Sequence, residues 1–213
     1  MTQEDVDKTG ELNLPKYLAF TFDDGPALDI TTTLLDGLKE RKARATFFVL
    51  GNRAENQVDI IKRMVEEGHV VGSHTYSHKN LLRLSLDEAL TEITSTNDII
   101  ANIIGDKPKY LRPPYGNYNK DILANSNMTF ILWSVDTEDW KKRDADLVYE
   151  YIINNVSDGD IVLLHDLYPT SVEGVLKAID YLKNYNYKFV NIEELFTKKG
   201  IIAELNKSYR YVR

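Results

Sequence analysis

The chain alternates short apolar runs with amphipathic segments, and this alternation restricts its fold more than any other feature. The apolar runs are rich in Val, Ile, Phe and Tyr and are mostly continuous. Continuous apolar runs are typical of strands that are covered on both faces, as in parallel sheets. We therefore predict strands at residues 17–22, 46–50, 70–73, 110–111, 130–135, 161–164 and 187–191.

The segments between these runs carry apolar residues at helical spacing. Ser85 and Glu88 form a capping-box pattern at the start of one segment, and Gly105 follows its end. We predict helices at residues 30–41, 58–67, 86–104, 146–156, 172–184 and 192–199. Regular alternation of strand and helix predicts an α/β fold with parallel strands, built either as a barrel or as an open sheet.

The size and charge of the chain narrow the classes of function. A chain of 213 residues suits one domain, which we place at 15–213 after a polar, flexible segment at 1–14. The net charge of −7 argues against a nucleic-acid partner, because phosphate binding needs clustered Lys and Arg. No cysteine is present, which excludes disulfides and thiolate chemistry. No run approaches the roughly 20 apolar residues of a membrane helix, and residues 1–14 lack the apolar centre of an export signal.

Polar residues that can carry chemistry follow several of the predicted strands. In parallel α/β folds, active sites form where the carboxyl ends of the strands meet. In a closed barrel these ends share one rim, so residues far apart in sequence can converge there. The residues in question are Asp23, Asp24, His74, His78, Arg112, Tyr115, Asp136, Glu138, Asp139, Trp140, His165 and Asp166.

His74 and His78 are four residues apart and could grip one metal ion if the segment between them forms a helical turn. Asp24 would complete a two-histidine, one-carboxylate site with open positions for water and substrate, as in catalytic metal sites. Each part also has a structural interpretation. The histidines could be a surface pair, and Asp23-Asp24 with the following Gly-Pro is also an ordinary turn sequence.

The other polar and aromatic residues are ambiguous when each is taken alone. His165 ends an apolar run and could be a buried histidine with a hydrogen-bond partner, and Arg112 could belong to a buried ion pair. Tyr115 and Trp140 follow strands, which favours a platform for a sugar, although both could be core aromatics. Trp133 lies inside the predicted strand at 130–135, so we expect it in the core.

Five motifs together resemble the polysaccharide deacetylase family, also called carbohydrate esterase family 4 or the NodB homology domain. They span positions 21 to 165, and this order of five motifs is very specific. The motifs are Thr21-Phe22-Asp23-Asp24-Gly25-Pro26, His74-Thr75-Tyr76-Ser77-His78, Arg112-Pro113-Pro114-Tyr115-Gly116, Asp136-Thr137-Glu138-Asp139-Trp140 and Leu163-Leu164-His165.

This resemblance implies a distorted (β/α) barrel with about seven parallel strands and one divalent metal ion. Zinc is the expected metal, with cobalt, nickel or manganese as alternatives. The resemblance further implies a role for each matched residue. Asp24, His74 and His78 would be the metal ligands, Asp23 would be the base, and Arg112 would orient that base. His165 would be the acid, Asp139 would support it, and Trp140 would form a wall of the groove. As a mechanistic hypothesis, we further expect the backbone N–H of Tyr115 to stabilise the oxyanion.

The resemblance also implies a substrate class, which is an acetylated sugar polymer or oligomer. We expect a monomeric N-deacetylase of peptidoglycan or chitin-like oligomers. We expect it to act outside the cell or at the cell wall. Because residues 1–14 show no export signal, a location in the cytoplasm is the alternative. An O-deacetylase such as an acetylxylan esterase is the main alternative. A non-haem iron redox enzyme and a non-catalytic sugar-binding module are further alternatives.

Overall fold

The computed structural model describes residues 14–213, and in this part of the chain short strands alternate with helices as the sequence predicts. Of the predicted flexible segment at 1–14, all but Leu14 lies outside the described residues. The strands are β1 (Lys16–Asp23), β2 (Thr46–Val49), β3 (Val70–Ser73), β4 (Tyr110–Leu111), β5 (Thr129–Ile131), β6 (Val135–Asp136), β7 (Ile161–His165), β8 (Tyr187–Phe189) and β9 (Ser208–Tyr209).

The strands form one curled sheet in the order β6-β7-β1-β2-β3-β4-β5-β9, with β8 paired to the start of β1. Every strand pairing within this sheet is parallel, so the carboxyl ends of the strands lie on one side. The fold is the distorted (β/α) barrel that the resemblance to the family implies. It is curled rather than evenly closed, because β6 and β9 stand at the two ends of the strand order.

Helices cover the outside of the sheet. Ser85 and Glu88 form the predicted capping box, and Gly105 ends the same helix with a φ of 90°, which glycine adopts without strain. No helix among residues 14–213 is long and apolar enough to cross a bilayer. The helices are α1 (Leu28–Glu40), α2 (Gly51–Ala54), α3 (Val58–Glu66), α4 (Leu86–Ile104), α5 (Lys120–Asn125), α6 (Asp139–Lys142), α7 (Ala145–Asn155), α8 (Pro169–Leu182) and α9 (Ile192–Lys198).

The largest buried apolar cluster lies between the sheet and the helices α1, α3, α7 and α8. Phe20 and Phe22 of β1 belong to it and are fully buried, together with leucines of α1. The stacked rings of Phe22 and Phe47, with centroids 5.3 Å apart, tie β1 to β2. This packing makes β1 a rigid central strand, and it places the end of β1 in the middle of the carboxyl side.

Two strand predictions need correction. The predicted strand at 130–135 is two strands, β5 and β6, because the chain leaves the sheet at Leu132 and re-enters it at Val135. Strand β9 near the C-terminus was not predicted, because its two residues follow the polar pair Asn206-Lys207 and form no apolar run. The described residues therefore contain nine strands, two more than the seven predicted apolar runs.

Candidate active site

The side chains singled out in the sequence converge on the carboxyl side of the curled sheet. Asp23 ends β1, and its register partner on the neighbouring strand β7 is His165. His74 directly follows β3, and Arg112 directly follows β4. Four separate strands thus bring residues that are up to 142 positions apart in sequence to one place.

Asp24, His74 and His78 form a cluster that could hold a metal ion, with their ligand atoms all within 4.8 Å of one another. The Oδ1 atom of Asp24 lies 3.4 Å from Nε2 of His74 and 3.3 Å from Nε2 of His78. Zinc ligands at about 2.0–2.1 Å in a tetrahedron are separated from each other by about 3.3 Å, so the cluster has the right dimensions.

Two observations indicate that the cluster fits a cation. The buried Oδ1 atom of Asp24 has no hydrogen-bond partner among the described residues, which is costly unless a cation contacts it. The Nδ1 atom of His74 lies 2.6 Å from the carbonyl oxygen of Arg112 and donates to it, which leaves Nε2 as the free ligand atom. Burial lowers the pKa of His74 to about 3, so its imidazole is neutral, as a metal ligand must be.

The segment between the two histidines is a loop, which corrects the helical turn that the four-residue spacing suggested. Thr75 and His78 both have positive φ, 69° and 59°, which is uncommon for residues other than glycine. The carboxylate of Glu92 on α4 accepts hydrogen bonds from the backbone N–H of Ser77 at 2.8 Å and from its hydroxyl at 2.7 Å. These bonds hold the loop in a shape that brings the histidine ring centroids to 5.1 Å.

Asp23 is buried beside this cluster and paired with Arg112, which is fully buried. The guanidinium donates to Oδ1 of Asp23 at 2.8 Å and to the hydroxyl of Thr21 at 2.7 Å. Two further bonds, to the carbonyl oxygens of Ile131 and Leu132, fix its orientation. Burial raises the pKa of Asp23 above its usual range, although the charge of Arg112 acts in the opposite direction. A raised pKa makes a carboxylate a better proton acceptor.

The partly buried His165 and the fully buried Asp139 form a second ion pair beside the first. The Nδ1 atom of His165 lies 2.8 Å from Oδ1 of Asp139, whose other oxygen accepts from the backbone N–H of His165 at 2.8 Å and from the hydroxyl of Ser171 at 2.6 Å. Burial opposes protonation of the imidazole, but the hydrogen bond and charge of Asp139 outweigh it and raise the pKa of His165 to about 9. The ring is therefore cationic at neutral pH and can donate a proton.

A cavity of about 430 Å³, here called the central cavity, connects these groups. Its aromatic walls include Tyr115 and Trp140, residues that are 62% and 48% exposed. Exposed aromatic rings beside a polar site suit the apolar faces of a sugar. The central cavity is lined by Asp23, Asp24, His74, His78, Tyr115, Trp133, Asp136, Trp140, Leu163, His165 and Tyr168.

Sequence reasoning missed several residues of this site. Trp133 was expected in the core, but it follows the end of β5, is only partly buried and lines the central cavity. Tyr168 lines the same cavity beneath the guanidinium of Arg143, which lies 3.6 Å from the ring centroid. The signal for Tyr168 was available, since it is an aromatic residue just after a strand, as Trp140 is.

A curled parallel barrel whose rim combines a cation-sized ligand cluster, a buried carboxylate and a cationic histidine has the composition of a hydrolase site. The chain belongs to the polysaccharide deacetylase family, because the sequence model of that family matches residues 12–130. The five motifs of the resemblance are the segments that the fold brings to the rim.

Individual relatives agree with the family. The peptidoglycan-N-acetylmuramic acid deacetylase PdaC of Bacillus subtilis is 42% identical over 84% of this chain and 38% of the relative. The peptidoglycan-N-acetylglucosamine deacetylase PgdA of Listeria monocytogenes is 40% identical over 91% of this chain and 41% of the relative. The chain thus spans about two fifths of the length of these two relatives.

Solved structures resemble the whole barrel. The structure of PdaC has a TM-score of 0.86 at 41% identity and covers 88% of this chain and 93% of the solved chain. A family 4 acetyl xylan esterase from Clostridium thermocellum, solved in complex with a cobalt ion, has a TM-score of 0.88 at 35% identity. That comparison covers 92% of this chain and 99% of the esterase.

Proposed function

We propose that the chain is a metal-dependent hydrolase that removes acetyl groups from N-acetylglucosamine units of a polysaccharide, either peptidoglycan or chitin-like oligomers. The observation that carries this proposal is the cluster of Asp24, His74 and His78 with Asp23 on one side and His165 on the other, all facing the central cavity. The peptidoglycan substrates named for the two relatives support the substrate class. They also favour a place of action at the cell wall.

Asp24, His74 and His78 would hold one divalent cation, with zinc expected first. When bound there, a divalent cation lowers the pKa of water and polarises a carbonyl group. Cobalt is a reasonable alternative, because a cobalt ion occupies the similar esterase structure.

Asp23 is the proposed base. It takes a proton from the attacking water as the new C–O bond forms at the acetyl carbonyl carbon. Arg112 holds one carboxylate oxygen at 2.8 Å, which leaves the other oxygen to receive the proton. Charge that develops on the carbonyl oxygen is stabilised by the backbone N–H of Tyr115, where the chain has a φ of 61°.

His165 is the proposed acid. It donates its Nε2 proton to the sugar nitrogen as the C–N bond breaks, which yields acetate and a free amine. An amide needs this proton because an amine anion is a very poor leaving group. Asp139 holds Nδ1 of the ring and so directs Nε2 toward the central cavity.

Acetate release tests the proposal. We expect the protein to release acetate from N-acetylated chitooligosaccharides or peptidoglycan, to lose this activity with a chelator, and to regain it when zinc or cobalt is added back. Asp23→Asn should keep the metal and lose turnover, whereas His78→Ala should lose both. Asp29→Asn is the control, because it removes the same charge at an exposed position of α1. Release that is insensitive to metal removal would contradict the proposal.

An O-deacetylase is the second candidate, favoured by the similarity to the acetyl xylan esterase. An alcohol leaves more easily than an amine, so an O-deacetylase depends less on a proton from His165. We expect His165→Ala to reduce amide hydrolysis far more than hydrolysis of activated acetate esters. Preferential release from acetylated xylan over N-acetylated oligomers would favour the O-deacetylase instead.

A further inference from the structure

A second cavity, of about 520 Å³, adjoins the central cavity and is here called the neighbouring cavity. The two cavities share His78 and Tyr115 in their walls, so they lie side by side. Its volume falls within the roughly 300–1,000 Å³ of small-ligand sites. The remaining walls are Lys79, Asn80, Arg83, Leu84 and Asn117.

Arg83 gives the neighbouring cavity an uncompensated positive charge. Its exposed guanidinium has no ion pair or hydrogen bond with any residue in the described part of the chain, and no acidic residue among them lines this cavity. The second cation, Lys79, is paired with the carboxylate of Glu92 at 3.2 Å. A free cation in a groove of a chain with a net charge of −7 indicates a negatively charged ligand group.

The backbone that carries Arg83 is fixed before any ligand binds. Arg83 ends a 3₁₀ turn whose first residue, Leu81, is fully buried. The side chain of Asn80 caps this turn by accepting from the backbone N–H of Leu82 at 3.1 Å, and the N–H of Arg83 donates to the carbonyl oxygen of Asn80 at 2.9 Å. An anchored backbone lowers the entropy cost of holding a ligand.

We propose that the neighbouring cavity binds the sugar next to the acetylated unit, and that Arg83 binds a carboxylate carried by that sugar. The inference rests on the proposed function, which places the acetylated unit in the central cavity. A guanidinium matches a carboxylate with two parallel hydrogen bonds. The exposed ring of Tyr115 and the amide of Asn117 suit the ring and hydroxyls of the same sugar.

This assignment selects between the two substrate classes of the proposed function. A glycan strand in which N-acetylglucosamine alternates with an acid-bearing sugar places a free carboxylate beside the acetylated unit where that acid carries no peptide, as in peptidoglycan from which the peptides have been removed. A chitin-like oligomer has no such group. The polymer is therefore expected to be the acidic glycan.

Steady-state kinetics with three tetrasaccharides test the inference. The first is an acid-bearing tetrasaccharide from peptidoglycan without peptides, the second is the same compound with its carboxylates reduced to alcohols, and the third is neutral chitotetraose. The preference is the ratio of kcat/KM for the acid-bearing compound to kcat/KM for the reduced compound. We expect Arg83→Ala to lower this ratio about fivefold. The loss should fall on KM, because the carboxylate lies away from the reacting atoms.

Two variants and a salt series serve as controls. Arg44→Ala removes the same charge from an exposed position two residues before the strand β2, at the opposite side of the sheet, and should leave the preference unchanged. Arg83→Lys should keep part of the preference, because the charge stays while the paired hydrogen bonds are lost. Raising the salt concentration should weaken the preference of the wild type.

The outcomes separate this inference from the proposed function. Acetate release from all three compounds with no effect of Arg83→Ala on the preference overturns the inference and leaves the proposed function standing. If no compound releases acetate, the proposed function fails, and titration calorimetry with the same compounds decides on Arg83. Tighter binding of the acid-bearing compound that Arg83→Ala abolishes supports the carboxylate site, and equal binding of the acid-bearing and reduced compounds overturns it.

Discussion

Replacing Asp139 by Asn isolates the effect of one buried negative charge on the proposed acid, His165. The pKa of His165 is raised to about 9, against an ordinary value of 6.5, even though burial of the ring acts in the opposite direction. The difference corresponds to about 3 kcal/mol in favour of the imidazolium. Asp139 is the strongest of the groups that raise this pKa, ahead of Asp23 and Asp24.

We expect Asp139→Asn to lower the pKa of His165 by about 2, because a contacting charge shifts a pKa by roughly 1–3. The amide accepts at only one of its ends, so either the ring Nδ1–H of His165, or the backbone N–H of His165 together with the hydroxyl of Ser171, also loses its acceptor. A bound cation would lower the pKa of His165 in wild type and variant alike. The comparison between the two proteins is therefore the informative quantity.

The assay is the pH dependence of kcat/KM for an N-acetylated oligomer. The alkaline limb, which reports loss of the proton from the acid, should move down by about 2 in the variant. One pH unit below the wild-type limb, activity should then fall about tenfold, whereas at low pH, where both proteins are protonated, the loss should be small. Ser171→Ala is the matched control, because it removes a hydrogen bond from Asp139 but keeps the charge. An alkaline limb that stays in place in Asp139→Asn would refute the role of this pair.

Three further substitutions test other parts of the account. Glu92→Gln weakens the contacts that hold Ser77, so zinc binding measured by chelator competition should weaken about tenfold, and unchanged affinity would contradict a positioning role. Arg112→Lys loses the forked hydrogen bonds of the guanidinium to Asp23 and its neighbours, so the pKa of Asp23 should rise further and the acid limb of the pH profile should move to higher pH. An acid limb that stays in place or moves to lower pH would argue against Asp23 as the base. His69 has a pKa lowered to about 4 by burial, so its contribution to stability is present above the unfolded value of 6.5 and is lost as the pH falls. The free energy of unfolding in urea should drop by about 2 kcal/mol between pH 7 and 4.5 through His69, and an equal drop in His69→Gln would contradict this.

Local patterns predict the parallel strands and the polar residues that follow them, whereas the choice of a barrel over an open sheet comes from the resemblance to the family. Continuous apolar runs identify the strands, and the strand ends identify the site. The break between β5 and β6 was not predicted, because Trp133 continues the apolar run and only the three-dimensional fold turns it into the central cavity. The spacing of His74 and His78 predicted their convergence correctly and their backbone conformation wrongly, since a loop held from outside achieves the same approach as a helical turn.

Glu92 shows where a local pattern could have revealed more. It lies on the buried face of α4, which also carries Ala89, Ile93 and Thr96. An acidic residue on a buried stripe needs partners, because a buried unpaired charge is costly. The sequence therefore shows that Glu92 has a partner, but which partner it has depends on how α4 packs against the loop of Ser77.

The most direct test of the account is the position of the metal ion, measured by anomalous diffraction from crystals grown with zinc. The account predicts one peak at about 2.0–2.2 Å from Oδ1 of Asp24 and from Nε2 of both His74 and His78, with Asp23 beside it and bound to Arg112. A peak at another place, or a peak in which Asp23 replaces Asp24 as the ligand, would contradict the assignment of ligands and base.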